Sequence, residues 1–286
     1  MAARIQGELV GFLVAPMPVT PGARTANMAL ASHAAEPDVV REVYRALYMA
    51  VAGPLAQAGF LRHQVGVLVE PDSVVASWFQ LGFGVDQIHG LQSLKTVTLS
   101  PNRVVETRRA TADDLANLTD LAVELIKFHT RPPMFHSGRF LDHVTDPARD
   151  SYPADLLDRD QLRRDLESSI AGSTSAVFVA DDGDRLSGFM QVQPDGRFRR
   201  TASIGQAVVA ETERSTGIGT ALLAAAVTWS AQQGFDRCSV GWTSTNPISD
   251  PFWRNRGFQP VRYRLAREID PWAAGVSERD RSRPTT

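Results

Sequence analysis

Cysteine, net charge and long apolar runs are all scarce in this chain of 286 residues. Its one cysteine, Cys238, excludes an internal disulfide and fits a reducing compartment. A formal net charge of −2, with charged residues at 22%, makes no electrostatic case for nucleic acid or an anionic membrane as partner. The most apolar window, Ala46 to Leu61, is interrupted by Pro54 and Gln57 and is too short to span a bilayer. Gly11-Phe-Leu-Val-Ala15 is short and is cut off by Pro16 and Pro18, so no signal peptide is expected. His129, His136 and His143 have no cysteine or acidic partner at metal-ligand spacing, which argues against a zinc site. These absences predict a cytoplasmic protein without a metal, and the length suits one large or two modest domains.

The most informative stretch is Arg214-Ser-Thr-Gly-Ile-Gly-Thr220. Before it, Ser203 to Ala210 is apolar and β-branched enough to read as a strand. After it, Leu222, Ala226 and Trp229 recur at helical spacing up to Gly234, a fitting helix stop. Strand, glycine turn and helix start together make an anion site. Bare N–H groups point outward, the helix dipole adds partial positive charge, and glycines let a phosphate come close. Spacing narrows the ligand. A P-loop needs a Lys-Ser/Thr pair after the second glycine, and here Gly219 is followed by Thr220-Ala221. The dinucleotide fingerprint fails as well: Leu222 occupies its third small position, and Asp236 precedes the next strand, Cys238 to Trp242, instead of ending it. What remains is R-x-x-G-x-G.

Downstream stand Gly234-Phe235, the strand Cys238 to Trp242, Asn246, and Phe252-Trp-Arg-Asn-Arg-Gly-Phe258. Upstream, Val104 to Asp114 reads as a strand leading into an Asp-capped helix, Leu115 to Phe128, and Ala176 to Asp184 with Leu186 to Val192 as a hairpin. This combination resembles the GNAT acyltransferase superfamily over roughly Val104 to Ile269. The resemblance implies an α/β fold, a mixed and mostly antiparallel sheet with flanking helices, that binds acetyl-CoA or another acyl-CoA as co-substrate. It implies that Arg214, Ser215, Thr216, Gly217, Ile218, Gly219 and Thr220 surround the pyrophosphate, that the backbone of Ala207, Val208 and Val209 pairs with the pantetheine arm, and that Asn246 contacts that arm. Read as a bare residue, Asn246 is instead a turn former before Pro247.

The first hundred residues repeat the pattern. Ala56-Gln-Ala-Gly-Phe-Leu-Arg-His-Gln-Val-Gly66 aligns without gaps with Ala231-Gln-Gln-Gly-Phe-Asp-Arg-Cys-Ser-Val-Gly241, and in the same register Ser77 to Phe83 meets Phe252 to Phe258. Gly11-Phe12 and Arg24-Thr-Ala26 resemble Gly188-Phe189 and Arg200-Thr-Ala202 with slips of one or two residues. A tandem of two GNAT-like copies follows. Residues 1–95 form a partial, degenerate copy, 101–270 a complete one with the acyl-CoA site, and 271–286 a flexible tail. With ten residues before Gly11, the first copy is expected to lack the opening strand, both early helices and the next strand. Gly217 falls on Glu42 and Gly219 on Tyr44, so the first copy has no phosphate cradle. Residues 1–100 carry only 6 Lys/Arg and 7 Asp/Glu, and this low charge suggests packing on the second copy.

Thioester aminolysis needs a free amine, a stabilised oxyanion and a good leaving thiolate. Many superfamily members place a Tyr acid where this chain has Trp253, and an indole N–H has no acidic proton to give. Trp78 at the matching place of the first copy suggests an aromatic kept for packing. Glu211 and Glu213 read as solvated carboxylates, Gln206 is an amide where some members carry a base, and Cys238 reads as core. Thr243, Ser244, Thr245 and Ser249 are hydroxyls able to organise a water or simply form turns. No catalytic acid or base is assigned. The resemblance implies N-acetyl transfer to an amine of a small molecule or peptide by direct attack in a ternary complex, with proximity supplying much of the rate. The alternative is an acyl-CoA-binding or interaction protein without turnover. Residues Lys127 to Pro153, rich in Pro, His and aromatics, are expected to recognise the acceptor. The acceptor, the acyl chain and a homodimer stay open.

Overall fold

The computed structural model describes residues 1–15, 25–95, 105–135, 159–181 and 185–272. In chain order these form β1 (Ala2–Ile5), β2 (Glu8–Leu13), β3 (Thr25–Met28), β4 (His33–Ala35), α1 (Val40–Gln57), β5 (Arg62–Leu68), α2 (Asp72–Gln80), β6 (Gly84–Ser93), β7 (Thr107–Arg109), α3 (Leu115–His129), α4 (Arg159–Ala171), β8 (Ala176–Asp181), β9 (Leu186–Pro194), β10 (Thr201–Val209), α5 (Ile218–Gln232), β11 (Arg237–Thr243), α6 (Ser249–Arg254) and β12 (Gln259–Glu268). The chain divides into two compact units. One gathers Met1–Ile88 with the residues from Pro260 on, the other the described residues between His89 and Gln259. The expected tail 271–286 and the expected acceptor segment lie mostly outside the described residues, as do His136 and His143. Among the described residues no helix is long and apolar enough to cross a membrane.

The first unit pairs β1 with β2 and β2 with β4, and carries a second sheet in the order β3-β5-β12-β6. Its core is aromatic. Along α1, Val40, Val43, Tyr44, Leu47, Tyr48, Val51 and Leu55 recur at three- and four-residue spacing and bury one face. That face meets Trp78 of α2 and Phe83.

In the second unit the sheet runs β11-β10-β9-β8-β7, antiparallel except for the parallel β10–β11 pair. Five successive residues of β8, Ala176 to Ala180, are buried. Strand geometry sends alternate side chains to opposite faces, so burial of all five means that both faces are covered. Val177 and Val179 pack with Leu118, Leu121, Leu162 and Leu166 of α3 and α4, while Phe178 faces the small residues of α5. The turn Ala112–Asp114 that leads into α3 is set by a capping box, in which the Thr111 side chain and the Asp114 carboxylate each satisfy an amide of the other's backbone. The cap is therefore a threonine and not the expected aspartate, which sits at the third position and makes no cap bond to α3 itself. Arg108 holds Asp114 from the other side at 2.8 Å and lowers its pKa.

Register supports the repeat strand by strand. Gly11↔Ala35, Phe12↔Ala34 and Leu13↔His33 in β2–β4 reproduce Gly188↔Val209, Phe189↔Val208 and Met190↔Ala207 in β9–β10. Thr25↔Arg62 to Met28↔Val65 reproduces Thr201↔Arg237 to Ile204↔Val240. One expectation is overturned: β1 pairs Ala3 with Gly11 as β8 pairs Ala180 with Gly188, so the first copy does have the strand before Gly11. The tight Gln6-Gly7 turn, with φ of 51° and 90°, lets so few residues form it.

Candidate functional site

A cleft of about 1010 Å³ opens in the second unit where two strands part. The parallel ladder of β10 and β11 ends at Ile204↔Val240, although the strands run on to Val209 and Thr243. After an irregularity, β10 keeps β9 through Ala207↔Met190 to Val209↔Gly188. The other edge of Ala207, Val208 and Val209 therefore faces the cleft with no strand beside it among the described residues. An extended chain bearing amides can pair there.

The loop closes one end. Gly217 has φ 97° and caps α5 with no side chain, a left-handed conformation that suits glycine alone. Among the described residues the amides of Thr216, Gly217, Ile218 and Gly219 have no backbone acceptor; the first bonded ones are Thr220 and Ala221, both to the Gly217 carbonyl. A Cβ at Gly219 would lie 3.0 Å from the ring of Phe252, so a side chain there would push that ring back from the helix start by a few tenths of an ångström. Arg214 stacks 4.3 Å from the centre of the Phe128 ring, its Nε donates to the Val209 carbonyl (3.4 Å), and Thr216 donates to the Glu213 carbonyl (2.7 Å).

Of the residues expected to hold a cofactor, Ala207, Val208, Val209, Arg214, Ser215, Thr216, Gly217, Gly219, Thr220 and Asn246 line this one cleft. The Ile218 side chain is buried beneath it, leaving its amide to act. Asn246 serves the turn as well as the wall. Its Oδ1 accepts from the amides of Ile248 and Ser249 at 3.0 Å each, which starts α6, and its amide nitrogen lies 3.5 Å from His129 Nε2. Trp253 is buried between Phe252 and Phe258, ring centres 4.7 and 5.3 Å away, and is a packing residue. Glu211 pairs with Arg131 at 3.1 Å on the surface. Burial pushes the Cys238 thiol up to about 12, so it stays protonated and inert.

Two further wall residues lie outside the expected cofactor set: Ser249, read from sequence as a hydroxyl able to organise a water or form a turn, and Arg256, which the sequence pattern gives no role. Ser249 lines the cleft, one helical turn before Trp253, and its hydroxyl is buried without a partner among the described residues. Arg256 also lines it, within the aromatic motif but not part of the pattern that revealed it. Among the described residues no group of three or more His, Cys, Asp or Glu is placed to hold a metal.

Residues 139–258 match the family model of the acetyltransferase (GNAT) family. The chain carries a GNAT domain. Similar folds include a GCN5-related N-acetyltransferase from Sphaerobacter thermophilus, at TM-score 0.58 and 15% identity over 93% of this chain and 78% of that one. A tandem GNAT protein from the clavulanic acid biosynthesis pathway is similar at TM-score 0.51 and 16% identity, over 94% of this chain and 82% of that one. An acetyltransferase from Colwellia psychrerythraea aligns at TM-score 0.52 and 12% identity, over 94% and 84%. None of the curated proteins compared matches. At these identities the structural likeness is one of fold: a GNAT fold, with the tandem arrangement that the repeated register displays.

Proposed function

We propose that the cleft binds an acyl-CoA and that the protein is an N-acyltransferase, passing an acetyl group to an amine of a small molecule or peptide. The observation that carries this is the convergence of an unpaired strand edge, Ala207–Val209, and an uncapped glycine helix start, Gly217–Gly219, on one cleft. The first suits the amides of a pantetheine arm and the second a pyrophosphate. Both fit an acyl-CoA, and the loop glycines present bare backbone amides that a phosphate can approach.

The chain's own residues then have definite tasks. Amides at the start of α5 hold the phosphates, with Arg214 braced on Phe128 beside them. A β10 amide polarises the thioester carbonyl, because the oxyanion develops against a fixed donor that needs no reorganisation. The amine, bound as free base, attacks the carbonyl carbon; the C–S bond breaks, the thiolate leaves, and the proton that the amine nitrogen sheds ends on that thiolate, giving the amide and the free thiol. Ser249 is the hydroxyl available to hydrogen-bond that sulfur, and the Trp253 indole, although a donor, has no acidic proton to transfer to it. Holding amine and thioester together supplies several kcal/mol without further acid–base groups.

Release of free thiol from acetyl-CoA in the presence of an amine panel tests the reading. A second reading, acyl-CoA binding without turnover, is favoured by Trp253 at the wall; binding with no thiol release across the panel would establish it, and no binding would sink both.

A further inference from the structure

Arg256 lies half-buried in the cleft wall, and its guanidinium is held in place without being neutralised. Its carbon lies 3.8 Å from the centre of the Phe252 ring. Nε and Nη2 donate to the Thr220 hydroxyl at 3.2 and 2.5 Å, and Nη1 donates to the Phe252 carbonyl at 3.1 Å. Among the described residues it meets no carboxylate, whereas its neighbour Arg254 pairs with Asp250 at 2.9 Å. A guanidinium has five N–H donors, so two remain, one on each terminal nitrogen. Thr220 accepts from the arginine and keeps its own proton to donate. Both residues line the cleft, and Thr220 is in the first turn of α5, next to the unbonded amides of Ile218 and Gly219. Burial works against the charged form of Arg256, a cost that a bound anion would offset.

The repeat provides an internal comparison. In the shared register Arg256 falls on Leu81, Phe252 on Ser77 and Thr220 on Arg45. The copy that has Glu42 and Tyr44 in place of the loop glycines also lacks the stacked arginine, its ring and its hydroxyl anchor. Cation and glycines are present together or absent together.

Resting on the acyl-CoA reading of the cleft, we propose that Arg256, anchored by Thr220 and Phe252, binds a phosphate of the cofactor, a cationic contact additional to the glycine loop. The cofactor offers that chemistry at its pyrophosphate and at its ribose 3′-phosphate. Titration calorimetry with CoA and with 3′-dephospho-CoA, on the full chain, tests it. Arg256→Gln is expected to weaken CoA roughly 10- to 100-fold, the effect of losing one charge-assisted contact. Equal loss for both ligands places the phosphate in the pyrophosphate; loss confined to CoA places it at the ribose. Thr220→Val, which frees the guanidinium from its anchor, is expected to weaken the same ligand by a smaller factor, and thermal unfolding of each variant checks that it is folded. Wild-type affinity for both ligands in a folded Arg256→Gln protein would overturn the proposal while leaving the cleft reading intact. Failure of the unaltered protein to bind CoA would overturn the cleft reading and this proposal with it.

Discussion

His33 Nε2 lies 2.9 Å from the carbonyl oxygen of Gly66, bridging in the first copy the gap that forms the cleft in the second. By register His33 stands where Ala207 stands, and Gly66 where Gly241 stands. With Nε2–H donating to that carbonyl, Nδ1 accepts from the Tyr44 hydroxyl at 2.9 Å. Tyr44 in turn replaces Gly219 and packs on Trp78, ring centres 5.1 Å apart. The first copy has lost its glycines and has also filled the space they served. One acyl-CoA per chain is the expected calorimetric stoichiometry, and restoring both glycines by Glu42→Gly with Tyr44→Gly should not add a second site. A stoichiometry of two in either protein would refute this.

Tyr44→Phe removes the hydroxyl and leaves His33 Nδ1 buried without its donor. A loss of about 1–3 kcal/mol of stability is expected, readable by denaturant unfolding, with cofactor affinity unchanged.

The two buried histidines of the first unit predict acid sensitivity. Burial lowers the pKa of His33 and of His63; the Gly66 and Phe60 carbonyls that accept from them oppose the shift without reversing it, and the Arg267 charge near His63 adds to it. For a folded-state pKa depressed below the unfolded 6.5, the unfolded chain binds the proton first. Stability is therefore full above pH 6.5 and falls, by up to about 1.4 kcal/mol per histidine per pH unit, as pH drops below it toward the folded value. Unfolding midpoints at pH 7.5 and 5.5 should differ accordingly; identical midpoints would exclude it.

Gly217→Glu copies the first repeat's residue into the loop. At φ 97° any side chain is strained, and a carboxylate there would repel the phosphates of a cofactor bound as proposed. Cofactor binding should disappear, and unchanged affinity would count against the loop assignment.

At the far end of the cleft, Trp253→Phe should keep turnover within a few-fold, because the ring packs between Phe252 and Phe258 and supplies no proton. Ser249→Ala should lower kcat by about 10-fold while cofactor affinity stays the same. The reverse pattern, a silent Ser249 and an essential Trp253, would move the leaving-group role to the indole.

Local chemistry explains what was readable beforehand. The helical spacing of α5 and the glycine loop each depend on neighbours a few residues apart, so a short string of sequence carries the whole signal; at the entry to α3 the same local reading found the acidic cluster but not Thr111 as the cap. Strand β1 was not expected because ten residues before Gly11 looked too few, and a two-residue turn at Gln6-Gly7 is what makes them enough. Asn246 was expected both as a cofactor contact and as a turn former; it lines the cleft, and its Oδ1 accepts the amides of Ile248 and Ser249 in the turn that leads into α6.

The sequence by itself determined the repeat, the one glycine-bearing loop and the GNAT pattern around it, since backbone conformation at Gly217 and the Gly257-Phe258 corner is dictated by residue type. Tertiary structure alone decided that β12 pairs with β5, that His33 reaches Gly66, and that Arg256 rests on Thr220. Those partners are 33 or more residues apart, and strand register and helix packing, not neighbouring sequence, bring them within hydrogen-bonding distance.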